Sequence, residues 1–504
     1  MLSFKKLNEI SGFDKDNLIN AKQNNYAWSM AEFGDYIYVG TGRNLPQYVV
    51  NLIKLDVKMP LLISTIEQNN NPEIWRYKKD GTEDWKKVFK TTDSDNVMGF
   101  RFMTVHTAEN SSPALYAATV SPDDTGVIVY KTTDGSNWTN VGVLKGNTSR
   151  AMISYKGNLY VATIDSTNDG TQKFLLYKSK DPEFFEFELA VDFNDPSYIR
   201  EKNPAAPVSD IAEFNNKLYV AVGGSEGFEL WRTEGETPKL NEWKIVGDKG
   251  FGDKMNQASL AIGVFKDHLY VSAMKEFPLI ILLPLGAELI RIDKNDNWEI
   301  VVGGDAIEPT DTQIGKRGKA ISGYSGGFSN PFNVYLWQAK PYKDNLIVTT
   351  FDNGSNIEAI RDIALLNKDI LVEKVGETIF NLLIKVYDKV LALLKKVEYP
   401  RGFDIYMSND GVNFNAVSLD GLGNGNNYGG RMVLEDSEGN LYVGTANPYD
   451  GCEVFKNVIV DPRNYGFSFG ASPKSDLKDY QNLFLKVEEE YNEILKYFTA
   501  GEDK

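Results

Sequence analysis

Apolar and polar residues alternate with a period of two through much of the chain, and one phrase keeps returning. It reads YIYVGT (36–41), ALYAAT (114–119), NLYVAT (158–163), KLYVAV (217–222), HLYVSA (268–273), NLIVTT (345–350) and NLYVGT (440–445). Such alternation marks a strand with one buried face. A short apolar segment and a turn precede each copy, as in MAEFGDY and MISYKGN. A third segment follows each: EIWRY, VIVYK, FLLYK, FELWR, ELIRI, FDIYM and CEVFK. Then come a tight turn and a fourth: WKKVFK, WTNVGV, FEFELAV, WKIVGD, WEIVVG and FNAVSL.

Four antiparallel strands repeated seven times predict an all-β chain folded as a seven-bladed β-propeller. The seventh copy has no fourth strand after CEVFKN. The chain opens with FKKLNEI (4–10), which is similar to WKKVFK and has no first three strands of its own. The N-terminal strand is therefore expected to complete the last blade and close the ring. The propeller is expected over residues 1–460.

Three turns, KKDGTEDW (78–85), TTDGSNW (132–138) and SNDGVNF (408–414), resemble the Asp-box hairpins of sialidase-like propellers. There the Asp accepts backbone N–H bonds, the Gly takes positive φ and the aromatic packs under the hairpin. At repeat level the chain resembles Asp-box, sialidase-like or kelch-like propellers. That resemblance implies a fold and no activity.

The repeat spacing stretches in blades 1, 5 and 6, which predicts insertions at about 43–72, 275–287 and 355–398. They are apolar: LPQYVVNLIKLDVKMPLLISTI (45–66), FPLIILLPLG (277–286) and a helical segment at 356–397. In that segment Ile379, Leu383, Val386, Val390, Leu393 and Val397 recur at spacings of 3 and 4, and Gly376 is placed to divide it. Its charges exclude a transmembrane span. A second amphipathic helix is expected at 474–499. One reading packs the insertions together as a cap. The other exposes them, with Leu279, Ile280, Ile281, Leu282 and Leu283 meeting a membrane or a protein partner.

Composition narrows the chemistry. Lys and Arg number 54 against 70 Asp and Glu, a net charge of −16 over 504 residues, so nucleic acid is not an expected partner. A single cysteine, Cys452, forbids an internal disulfide, and no secretion signal is read at the N-terminus, so a cytoplasmic or membrane-surface location is expected. Two histidines, His106 and His268, cannot build a four-histidine metal site and are read as structural. DSTNDG (165–170) begins like a calcium loop but has Leu176 where the closing Glu belongs, so no metal is expected. No cofactor motif is present.

The strongest chemical signal is a ring. The first strand of each blade lines a propeller's axis, and the residue ten before the repeated tyrosine (Ile347 in blade 6) is equivalent across blades, with allowances of one residue in blade 7 and five in blade 2. Those residues are Trp28, Arg101, Arg150, Ser209, Leu260, Trp337 and Arg431. Arginine offers paired donors to carboxylate or phosphate, and tryptophan offers a flat face. Asp210 is a candidate internal partner for the arginines. Sialidases also hold a carboxylate with three arginines, but in six blades and with a tyrosine nucleophile and its acid. Tyr26 and Tyr428 lie near strand starts without an evident acid, so that activity is not carried over. The leading expectation is a non-catalytic recognition or scaffold protein that uses its insertion-bearing face. The alternative is an enzyme or binding protein for an anionic glycan at the axis. The sequence does not set the oligomeric state.

Overall fold

The computed structural model describes residues 2–52, 57–59, 69–122, 125–166, 172–192, 205–206, 210–239, 242–277, 279–458, 485–492 and 494–495. Strand dominates, and the chain is all-β with helical insertions. The strands pair antiparallel in consecutive runs. The first run is Asn24–Phe33, Tyr36–Arg43, Glu73–Lys78 and Lys86–Lys90. The second is Gly99–His106, Ala114–Val120, Val127–Thr132 and Thr139–Leu144. The later runs repeat this order, and single bridges such as Gly42 to Gly99 and Ala446 to Tyr26 join neighbouring runs.

The missing strand is at the other end of the chain. Ser3–Lys6 pairs antiparallel with Val454–Val458, with Ser3 opposite Val458 and Lys6 opposite Phe455. Phe13, Met30, Val39 and Trp75 then share a hydrophobic cluster with Tyr442 and Val454, so the first and last runs pack together. The innermost strands touch in cyclic order, from Asn24–Phe33 round to Gly429–Glu435 and back.

The repeated phrase explains this packing. Tyr38, Tyr116, Tyr160, Tyr219, Tyr270 and Tyr442 are all buried, and each fills the seam between runs. Tyr38 and Tyr270 reach the turn of the following run. A Cβ on Gly135 would lie 1.8 Å from the Tyr38 hydroxyl, and one on Gly411 would lie 1.8 Å from that of Tyr270. Both glycines also hold positive φ, 74° and 75°, which disfavours any other residue. In these turns Asp134 Oδ1 accepts from the amides of Ser136 and Asn137 at 2.8 Å, and Asp410 Oδ1 accepts from those of Val412 and Asn413 at 2.8 and 2.7 Å.

The insertions form helices Leu45–Leu52, Leu279–Leu282, Ile357–Leu366, Lys368–Val375 and Glu377–Lys396. Gly376 separates the last two, as expected. The buried stripe of the long helix is Phe380, Leu383, Val386, Tyr387, Val390 and Leu394. It is rotated from the expected one: Phe380, Tyr387 and Leu394 are buried, and Ile379, Leu393 and Val397 are half-buried. Leu279, Ile280 and Leu283 join Leu383, Val386, Tyr387, Val390 and Leu394 in one cluster, together with Val487, Tyr491 and Ile494 from the C-terminal segment. Ile281 and Leu282 are half-buried. The apolar run 279–283 therefore meets the chain's own helices. Leu279, Ile280 and Leu283 thus pack as the cap reading expects, while Ile281 and Leu282 keep partial exposure.

Candidate functional site

Five of the expected ring residues share one backbone device. Each innermost strand slips register by one residue: between Ala27 and Ser29, Phe100 and Phe102, Ser149 and Ala151, Leu336 and Gln338, and Gly430 and Met432. The skipped residues are Trp28, Arg101, Arg150, Trp337 and Arg431. A β-bulge leaves one residue unpaired and re-aims its side chain. Leu260 occupies the break between Asn256–Ala258 and Ile262–Phe265, with its amide donating to Ser272 Oγ at 3.1 Å. Ser209 lies outside the described residues.

Glycines make room for the tryptophans. A Cβ on Gly99 would lie 2.2 Å from the Trp28 ring, and one on Gly429 would lie 1.9 Å from the Trp337 ring. Each indole in turn carries a guanidinium. Arg101 sits 5.1 Å from the Trp28 centroid and Arg431 5.5 Å from that of Trp337. Tyr26 meets Trp28, Trp337 and Tyr428 edge-on at 6.0, 5.8 and 6.0 Å, and its hydroxyl is hydrogen-bonded to that of Tyr428. Leu45, Tyr48, Tyr335 and Phe351 complete the apolar wall.

The three arginines feel one another. Burial holds Arg101 well below the ordinary arginine range, and the charges of Arg150 and Arg431 add to the effect. Burial also lowers Arg150. Arg431 falls to about 10 through burial, with Arg150 acting in the same sense and Tyr26 and the charge of Asp210 opposing. Compensation is sparse. Arg101 Nη1 reaches Thr148 Oγ1 at 3.5 Å and Arg431 Nη1 reaches Met432 Sδ at 3.7 Å. The Nε atoms of Arg101 and Arg150 are buried without a partner among the described residues. Asp210 is not the direct partner expected. Its carboxylate accepts from the amides of Ile211 and Ile262 at 2.9 and 3.0 Å, with Lys340 at 3.9 Å. Arg431 is buried, Arg101 and Arg150 are half-buried, and a charge taken from water without a bonded counter-charge is costly.

Tyr26 is pushed up to about 12 by burial, and burial raises Tyr428 well above its ordinary value. The charges acting on Tyr26 are those of Arg431 and Arg101, not of an acid. Tyr335 and Phe351 belong both to this axial cluster and to the helical cap, so the cap lies over the same end of the axis.

His106 is buried, with Nδ1 bonded to Ser154 Oγ and Nε2 to the Lys180 carbonyl, both at 2.8 Å. No group of residues able to hold a metal ion occurs among the described residues, and the side chains of 165–170 lie outside them. No described helix is long and apolar enough to cross a membrane. A surface cavity of about 430 Å³ lies away from the arginines, lined by Phe13, Asp14, Trp75, Trp85 and Lys87. Its Lys87 already pairs with Asp14 at 3.3 Å and Glu73 at 3.2 Å, and its rings stack on one another, so the axial cluster is the stronger candidate.

A second repeated device escaped the sequence reading. Asn24, Asn256, Asn333 and Asn427 each donate Nδ2 to a loop carbonyl, of Gly12, Gly250, Gly327 and Gly421, at 2.9 Å. Each also donates to an acid at the head of a third strand: Glu73 at 3.1 Å, Glu288 at 2.9 Å, Asp404 at 2.7 Å and Glu453 at 2.7 Å. The signal was present as the acid in PEIW, AELI, FDIY and CEVF, masked by the period-two pattern around it.

Searches for related proteins return folds only. No family model matches the chain, and no curated protein matches it. Among solved structures it is similar to the β-propeller domain of the trilobed protease from Pyrococcus furiosus, at 9% identity and a TM-score of 0.40, over 85% of this chain and 93% of that one. It is also similar to a subtype N10 neuraminidase-like protein of A/little yellow-shouldered bat/Guatemala, at 10% identity and a TM-score of 0.35, over 71% and 94%. A family 117 glycoside hydrolase from Zobellia galactanivorans is similar at 14% identity and a TM-score of 0.28, over 49% and 75%.

Proposed function

We propose that this chain is a seven-bladed, Asp-box-type β-propeller that recognises a small anionic ligand on its axis through Arg101, Arg150 and Arg431. The carrying observation is that three guanidinium groups, each on an equivalent bulge, converge without a bonded carboxylate among the described residues. The cyclic contacts of the innermost strands and the pairing of Ser3–Lys6 with Val454–Val458 support the closed ring. Trp28 and Trp337 supply its aromatic floor. The site is read as one for recognition because the described tyrosines there face arginines and one another, with no general acid or base positioned beside them. The insertion helices serve as a roof over this end, in place of the docking face that the sequence favoured.

Tryptophan fluorescence under titration with carboxylates tests the reading. Quenching that saturates in the native protein and disappears in R101M and R431M supports it. Saturable binding that both variants retain overturns it.

A further inference from the structure

We infer that the axial ligand is a planar, apolar acid carrying two or more carboxylates, and not a sugar acid or a phosphate; this rests on the axial reading above. The argument is an inventory of donors and acceptors. Three guanidinium groups offer only donors. The walls beside them, Trp28, Trp337, Phe351, Leu260 and the rings of Tyr48 and Tyr335, are mostly apolar, with the two tyrosine hydroxyls as their polar points. The Tyr26 and Tyr428 hydroxyls are engaged with each other. Gln338 Oε1 is a buried acceptor without a partner among the described residues, while its Nε2 donates to the Arg431 carbonyl at 3.1 Å.

A sugar acid would bring several hydroxyl donors to a site with few acceptors, namely Gln338 Oε1, Thr148 Oγ1 and the Tyr48 and Tyr335 hydroxyls, and each unmade bond costs affinity. Inorganic phosphate would leave the aromatic wall without a partner. A flat acid satisfies both halves, because its carboxylates accept from the guanidinium forks and its body lies on the rings. The order around the ring fits two anionic groups. Arg101 and Arg150 come from adjacent runs, Arg431 approaches from beyond Trp28, and Leu260 and Trp337 lie across. Two carboxylates also offset three cations better than one.

Calorimetric titration of the full chain with isophthalate, glucuronate and inorganic phosphate tests this. Isophthalate is expected to bind about tenfold or more tightly than either of the others, and to lose about tenfold in R150K, which keeps the charge and removes the fork. Glucuronate or phosphate binding as tightly as isophthalate, with the same loss in R150K and in R431M, overturns the ligand class and leaves the axial reading standing. Failure of all three to bind, or binding indifferent to both substitutions, overturns the axial reading and this inference with it.

Discussion

Asp404→Asn is expected to stabilise the protein at neutral pH and not at acid pH. Asp404 Oδ2 accepts from Asn333 Nδ2 at 2.7 Å, the Tyr406 hydroxyl at 3.1 Å and Asn330 Nδ2 at 3.5 Å. Nearby Asp352 accepts from the amides of Gly354 and Gly402, from Ser355 Oγ and from the Tyr399 hydroxyl. Both acids are buried, and neither has a cation partner among the described residues. This sets Asp404 apart from Glu73 and Glu288, whose cations hold them below the usual range against the pull of burial. Burial raises Asp404 to about 6, and burial together with the charge of Asp404 raises Asp352 to about 7. Their folded values thus exceed the unfolded ones, so the folded state holds protons that the unfolded chain releases. The contribution is full below about pH 4, is lost as pH rises through 6 and 7, and is flat above. A rise of about two units at Asp404 corresponds to roughly 3 kcal/mol, and the asparagine oxygen, with two lone pairs, keeps the two closer donors, Asn333 Nδ2 and the Tyr406 hydroxyl. After allowance for weaker neutral hydrogen bonds, D404N should gain about 1–2 kcal/mol at pH 7.5 and gain nothing at pH 4.5. Urea denaturation of both proteins at the two pH values measures the difference, in which titrations other than those of Asp404 and its coupled neighbour Asp352 cancel. A D404N-minus-native difference that does not change with pH would refute the reasoning.

Three further outcomes follow from the packing. Gly411→Ala should cost about 2–3 kcal/mol, since its Cβ would meet the Tyr270 hydroxyl, whereas Gly157→Ala, at the same φ of 75° with open space around it, should cost about 1 kcal/mol; thermal unfolding compares them. Ile280→Asp should loosen the cap by burying a charge among Leu383, Val386 and Tyr491, read as faster hydrogen exchange in 377–396 with exchange in the strands unchanged. The intact protein should stay unbound in flotation with anionic vesicles, and co-flotation abolished by I281D/L282D would restore the membrane contact.

The strands were legible because burial on one face writes a period of two directly into the sequence. The ring was legible for a subtler reason. Each bulge adds its extra residue at the same place in the register, so Trp28, Arg150, Trp337 and Arg431 keep nearly constant spacing from the repeated strand, and Arg101 departs only by the longer turn before Ala114. The insertions were legible, and their composition left both a packed cap and an exposed face open. PLIILLPL reads alike whether it faces lipid or a helix, and the contact of Leu279, Ile280 and Leu283 with Leu383, Val386 and Tyr387 is too long-range for the local pattern to show. The Asn–acid pairs were hidden because their partners are as far apart as 71 residues, at Asn333 and Asp404.

The most direct test of the central claim needs no ligand. Burial and like charge hold Arg431 down to about 10, which corresponds to roughly 3 kcal/mol of unfavourable interaction in the ligand-free protein. Arg150 contributes to it. If the trio exists to hold an anion, R150M should make the free protein about 1–2 kcal/mol more stable in urea at pH 7.5. If the arginines instead tie the runs together, R150M should lose a similar amount or more, and that result would contradict the account.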